Sequence, residues 1–130
     1  MADGRILVVD DDDAIRTCVA ELLRGEGYEV FSAVNGAEAL DLLAAADGDG
    51  PDLILLDMNM PVVDGWAFAR EYRRRPGRRA PILVMTAAPD AAQRAAEIEA
   101  HAVLPKPFDI DHALETVRRC LALPPHHGGA

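Results

Sequence analysis

Residues Pro51 to Gly65 read PDLILLDMNMPVVDG, and the first half of that stretch decides the architecture. Leu53 to Leu56 is an unbroken aliphatic run, entered through Pro51 and Asp52 and followed at once by Asp57. A strand with one wet face alternates apolar and polar residues. A strand covered on both faces is apolar throughout, as in parallel sheets packed between helices. LILL therefore predicts a doubly covered strand that ends on a carboxylate.

Working outward, the same grammar recurs. Arg5 to Val9 (RILVV) lies upstream, while Ile82 to Met85 (ILVM) and the short Ala102 to Leu104 lie downstream. Glu29 to Ala33 alternates and predicts a less deeply buried strand. Between these runs fall helical stripes: Ile15, Val19, Leu22 and Leu23; then Ala39, Leu40 and Leu43; then Trp66, Phe68, Ala69 and Tyr72. Asp90 to Ala100 is Ala-rich with Ile98 as its main anchor, and Ile110, Leu114, Val117 and Leu121 form the last stripe. Stop signals fit: Gly25 and Gly27, the Asp47–Pro51 loop, Pro76 with Gly77, and Pro124 with Pro125. Asp109 is placed to cap the last helix. Strand and helix alternating five times imply an α/β fold, a doubly wound five-stranded parallel sheet with flavodoxin-like strand order 2-1-3-4-5.

Bulk properties narrow the function. The 130 residues suit one domain, and 50% are apolar, enough for a single core. We read residues 1–123 as that domain and 124–130 as a short flexible tail. Asp and Glu number 22 against 13 Lys and Arg, a net charge of −9, which disfavours nucleic acid and anionic membranes as partners. The basic cluster of Arg70, Arg73 to Arg75, Arg78 and Arg79 reads as a solvated helix end and loop. Cys18 and Cys120 have no metal or redox spacing and are expected to be reduced core thiols of a cytoplasmic protein. The four histidines show no ligand spacing on a common face, and Trp66 reads as a packing residue.

The chemistry collects where the apolar runs end. Asp10 to Asp13 follow the first run, Asp57 the third, Thr86 the fourth and Lys106 the fifth. In a parallel sheet these positions share the carboxyl edge, where ligands of open α/β sheets bind. Order 2-1-3-4-5 places Asp57 between the Asp10 cluster and Thr86. Crowded carboxylates repel one another unless a cation joins them, and oxygen-only donors select a hard ion such as Mg2+. A carboxylate held there is a plausible nucleophile for phosphoryl transfer, which needs positioning and charge neutralisation more than covalent help. Lys106 offers a cation and Thr86 a hydroxyl donor.

ILVVDDDDAIR (Ile6 to Arg16), PDLILLDMNMPVVDG, VMTA (Val84 to Ala87) and LPKPF (Leu104 to Phe108) together resemble the receiver domain of two-component response regulators, in particular stand-alone, chemotaxis-type ones. The resemblance runs from about Arg5 to Leu121. It implies that Asp57 is the phosphoacceptor and that Mg2+ is bound by Asp10, Asp11, Asp57 and the backbone carbonyl of Asn59. It further implies that Thr86 reaches the phosphoryl group, that Lys106 pairs with it, and that the Lys106–Pro107 bond is cis.

The implied function is a single-domain response regulator. It takes a phosphoryl group from a histidine kinase or histidine phosphotransfer protein and signals to a downstream protein by contact or onward phosphorelay. It would turn over nothing but its own phosphoryl group, and would be monomeric or dimerise weakly on phosphorylation. One departure is Val103, where the family often has an aromatic residue; the stretch from Thr86 to Lys106 also looks short. Both bear on how Thr86 would couple to an output surface.

Plainer readings stand beside these. An acidic run is often a solvated loop, Asp13 reads better as a helix N-cap than as a ligand, and Thr86 could itself be a cap. Two other functions share the residues: a small Mg2+-dependent phosphatase with an aspartate nucleophile, and a receiver-like module that binds without being phosphorylated. The first would want a DxDxT/V pattern at the first strand, which Asp11, Asp13 and Ile15 do not complete.

Overall fold

Five parallel strands form the central sheet: β1 (Arg5–Val9), β2 (Glu29–Ala33), β3 (Leu53–Asp57), β4 (Ile82–Thr86) and β5 (Ala102–Pro105). Their spatial order is β2-β1-β3-β4-β5, the 2-1-3-4-5 arrangement expected from the sequence. Among the described residues there are four helices: α1 (Asp13–Gly25), α2 (Gly36–Ala45), α3 (Gly65–Arg74) and α4 (Ile110–Leu121). This computed structural model describes residues 4–45, 50–57, 65–74, 78–86, 100, 102–105, 109–122 and 126–127. The expected helix over Asp90 to Ala100 lies almost wholly outside the described residues.

The pleat sorts the aliphatic runs into two cores. Leu7, Val9, Ile54, Leu56, Ile82 and Val84 face Ala39, Phe68, Ala69 and Tyr72, so α2 and α3 cover that side. The alternate residues Ile6, Val8, Leu53, Leu55, Leu83 and Met85 face Val19, Ala20, Leu23, Ala113 and Val117, beneath α1 and α4. Because both pleat faces are dry, β3 and β4 are buried at every position, the physical origin of their unbroken apolar sequence. The edge strand β2 buries only Val30 and Ala33, one on each face, so it is less buried as expected but does not alternate.

Helix ends refine the sequence reading. Asp12, not Asp13, is the N-cap of α1: its carboxylate accepts from the Ile15 N–H at 3.0 Å, while Asp13 is the first helical residue. Both acids suit the helix start chemically, and the cap falls to the residue whose backbone is extended. At the far end Gly27 takes a positive φ of 96° beyond the C-cap Glu26, as the glycine pair suggested. Asp109 caps α4 by accepting from His112 N–H at 3.3 Å.

The buried face of α4 is rotated from the expected stripe. Ala113, Thr116, Val117 and Cys120 are buried, whereas Ile110 is 55% exposed and Leu114 and Leu121 are only half-buried. Small side chains let the helix sit close to the sheet. Thr116 can be buried because its hydroxyl donates to the His112 carbonyl at 2.7 Å.

Cysteine placement is also corrected. Cys120 is buried, but Cys18 is exposed, on the side of α1 away from Val19 and Leu23. The basic cluster divides as well. Arg70, Arg73 and Arg74 belong to α3, while Arg78–Arg79 pairs antiparallel with His126–His127 in a separate two-residue ladder.

Candidate functional site

Asp10 and Asp57 meet because their strands are in step. Val9 and Leu56 are register partners on β1 and β3, and each aspartate is the residue that follows. Both are buried, Asp10 at 0% and Asp57 at 5% exposure, while Asp11 beside them is exposed. One carboxylate oxygen from each of Asp10, Asp11 and Asp57 lies within 4.8 Å of the other two. On the other side of Asp57, β4 places Met85 in register with it, and the buried Thr86 stands one residue further along that edge. Thr86 in turn pairs with Pro105 of β5.

The structure thus gathers Asp10, Asp11, Asp57 and Thr86 at one edge of three adjacent strands. Lys106 and Asn59, the other two expected site residues, lie outside the described residues, as does the Lys106–Pro107 bond. Val103 is half-buried and packs against the core shared with Phe68 and Tyr72.

Hydrogen bonds fix the acidic loop. The Asp10 N–H donates to the Ala33 carbonyl at 3.2 Å, tying the loop to β2. Asp10 Oδ1 accepts from the Asp12 N–H at 2.9 Å, turning the chain sharply around Asp11. The Asp12 carbonyl accepts from Arg16 N–H at 2.9 Å as the first turn of α1 closes. The Arg16 side chain reaches back from that turn: Nη1 donates to the Asp10 carbonyl at 2.9 Å, and Nη2 pairs with Asp13. Sequence reasoning assigned Arg16 no role. The available signal was its spacing, one helical turn beyond Asp13 on the same face.

This donor set fits a hard divalent cation. Three carboxylates with no nitrogen or sulfur among them match Mg2+ or Ca2+ chemistry. Two of the three are withdrawn from water, so their mutual repulsion is weakly screened and a cation between them would relieve it. Among the described residues no helix is long and apolar enough to cross a membrane.

Comparison with known proteins agrees with this geometry. The response regulator receiver domain model matches residues 6–118. Response regulator MprA of Mycolicibacterium vanbaalenii is 44% identical over 119 residues, covering 90% of this chain and 50% of that protein. MprA of Mycobacterium avium is 43% identical with the same coverage, so the chain spans about half the length of these curated relatives. Among solved structures, chemotaxis protein CheY4 of Vibrio cholerae superposes with a TM-score of 0.78 at 34% identity, covering 92% of this chain and 99% of that one. Response regulator protein TrrA of Thermotoga maritima, solved in complex with Mg2+-BeF, gives 0.76 at 35% identity, covering 89% and 97%. With Asp10, Asp11, Asp57 and Thr86 at the expected strand ends and the strand order matched, this chain belongs to the response regulator receiver domain family.

Proposed function

We propose that Asp57 accepts a phosphoryl group from a histidine kinase or histidine phosphotransfer protein, and that the phosphorylated chain signals by protein–protein contact or onward phosphorelay. The observation that carries this reading is the Asp57 carboxylate itself. It is nearly buried at a strand end and grouped within 4.8 Å of the carboxylates of two further acids. In the step we propose, an Asp57 oxygen attacks phosphorus and the bond from phosphorus to the donor imidazole nitrogen breaks. The imidazole leaves with a proton and Asp57 becomes an acyl phosphate.

Each remaining residue has a part in that step. Asp10 and Asp11, with Asp57 and the Asn59 carbonyl, would hold Mg2+, which when bound neutralises charge on the phosphoryl oxygens. The Mg2+-BeF complex of TrrA supports that choice of ion. Thr86 would donate its hydroxyl to a phosphoryl oxygen and Lys106 would pair with another. New contacts of this kind bias a two-state equilibrium of the surrounding elements, which is how a local charge change is read elsewhere.

The chain would then act on nothing beyond its own phosphoryl group, working in the cytoplasm as a monomer or a weak phosphorylation-dependent dimer. A net charge of −9 favours a protein over nucleic acid as the partner of these residues. The test is intact mass after incubation with acetyl phosphate and Mg2+, run beside Asp57→Asn. One added phosphoryl group that requires both Mg2+ and Asp57 is expected. An adduct that persists in Asp57→Asn, or none from either acetyl phosphate or a cognate kinase, overturns the reading.

A further inference from the structure

We infer that Arg16 is a positioning residue for the cation site, stapling the loop on both sides of Asp11 so that the exposed Asp11 carboxylate is held toward Asp10 and Asp57. The inference rests on the metal reading of those three acids. Asp10 and Asp57 need less such help: both are buried, Asp57 closes β3, and Asp10 is tied to β2 by its N–H bond to the Ala33 carbonyl. Asp11 has neither constraint, since it is exposed and precedes the helix. Its position follows from whatever holds its neighbours.

Arg16 holds them from both sides. One guanidinium nitrogen donates to the Asp10 carbonyl at 2.9 Å, before Asp11 in the chain, and the other pairs with Asp13, after it. The Arg16 side chain is only 15% exposed, although it belongs to the first turn of a surface helix, so it is largely committed to this role. A guanidinium suits it because its planar fork can serve two acceptors in fixed directions, which a lysine ammonium cannot do. The same cation sits among acids that would share charge with a bound ion. Its electrostatic effect on cation affinity is therefore unfavourable, opposite in sign to its effect on geometry.

That opposition makes the inference testable. Mg2+ demands near-ideal octahedral geometry, whereas Ca2+ tolerates displaced ligands. Mg2+ and Ca2+ dissociation constants would be measured by titration calorimetry for the full chain, Arg16→Lys and Arg16→Gln, with metal-free melting followed in parallel. Loss of the staple is expected to weaken Mg2+ by about tenfold in both variants, on the scale of other outer-shell partners of metal ligands. Ca2+ should weaken much less, so the Mg2+-to-Ca2+ preference collapses.

Wild-type Mg2+ affinity in Arg16→Lys, or tighter Mg2+ in Arg16→Gln, would make Arg16 a charge only and overturn the inference. Equal weakening of both ions would overturn it too, as a general loss of loop structure. If the Arg16 variants fail to fold, Asp13→Ala removes one arm of the staple. It should lower the Mg2+-to-Ca2+ preference by a smaller factor, and an unchanged preference counts against the staple. A wild-type chain that binds neither ion would overturn the metal site and the inference with it, a failure separable from the others.

Discussion

Asp10 and Asp57 stand side by side because the residues before them, Val9 and Leu56, are register partners on adjacent strands. The pairing that builds the sheet therefore also forces two buried carboxylates together, with Asp11 completing the group. Carboxylates so placed repel one another, and a bound cation or a neutral substitution would relieve that repulsion. At about 4 Å two like charges repel by roughly 1 kcal/mol even with the screening of bulk water.

Without divalent ions, Asp57→Asn is accordingly expected to melt higher than the wild type. Adding Mg2+ should reverse the comparison. At ten times its dissociation constant the ion stabilises the wild type by roughly 1.4 kcal/mol and leaves Asp57→Asn much less changed. Thermal melts of both proteins in chelator and in Mg2+ check this, and a Mg2+ response equal in the two proteins would contradict it.

Thr86 is buried at 1% exposure one residue past the partner of Asp57, so its hydroxyl is costly to remove; in the proposed function it contacts a phosphoryl oxygen and is not the group that attacks phosphorus. Thr86→Ala is expected to lose about 1 kcal/mol of stability, the usual worth of a buried hydrogen bond. It should still gain one phosphoryl group from acetyl phosphate. Intact mass together with denaturant titration separates the two effects; failure to take the phosphoryl group while folded would move Thr86 into the transfer step itself.

The assignment of the α1 cap to Asp12 has its own consequence. Asp12→Ala should cost about 1 kcal/mol, whereas Asp12→Asn keeps an acceptor for the Ile15 N–H and should cost much less. Asp13→Ala loses a first-turn acid and an exposed ion pair, together roughly 0.5 kcal/mol. Urea denaturation in chelator ranks the three, and Asp13→Ala proving the most damaging would return the cap to Asp13.

The two cysteines should behave differently. An aromatic disulfide reagent is expected to titrate Cys18 in the folded chain and Cys120 only in denaturant, with Cys18→Ser removing the fast phase.

Burial also holds the Cys120 thiol above its ordinary 9.0, so the folded chain keeps that proton more tightly than the unfolded one. Its contribution to stability is complete below the ordinary value and is lost as pH rises through the raised one. Tyr28, raised from 10.0 chiefly by burial, with Arg118 opposing and Glu26 adding to the shift, behaves the same way at higher pH. Denaturation midpoints followed upward from pH 8 should therefore decline above about pH 9. In Cys120→Ala the decline should begin later; an identical onset would exclude the thiol as its source.

Much of this was legible in the sequence because burial on both faces of a sheet leaves a local mark. LILL at Leu53 to Leu56 and ILVM at Ile82 to Met85 have no polar position because neither pleat face meets water. The acids could be placed at strand ends for the same reason, since a polar residue closing such a run must leave the core. Chain position thus fixed the candidates Asp10, Asp11, Asp57 and Thr86.

What the linear pattern left open were choices between chemically equivalent neighbours. Asp12 and Asp13 can both cap a helix, and backbone geometry selected Asp12. Ile110 looked like a core residue by spacing, but α4 approaches the sheet through Ala113, Thr116 and Cys120, because close packing favours small side chains and leaves Ile110 outside. Cys18 is apolar by type and exposed by phase. Above all, the grip of Arg16 on the Asp10 carbonyl depends on how the first turn of α1 follows β1, whereas its pair with Asp13 is local to the helix. The sequence by itself determined the described strands and helices and the polar residues that close them, since burial is written residue by residue. Only the tertiary structure decided which of those residues touch, since contact depends on the register and helix phase that the whole fold imposes.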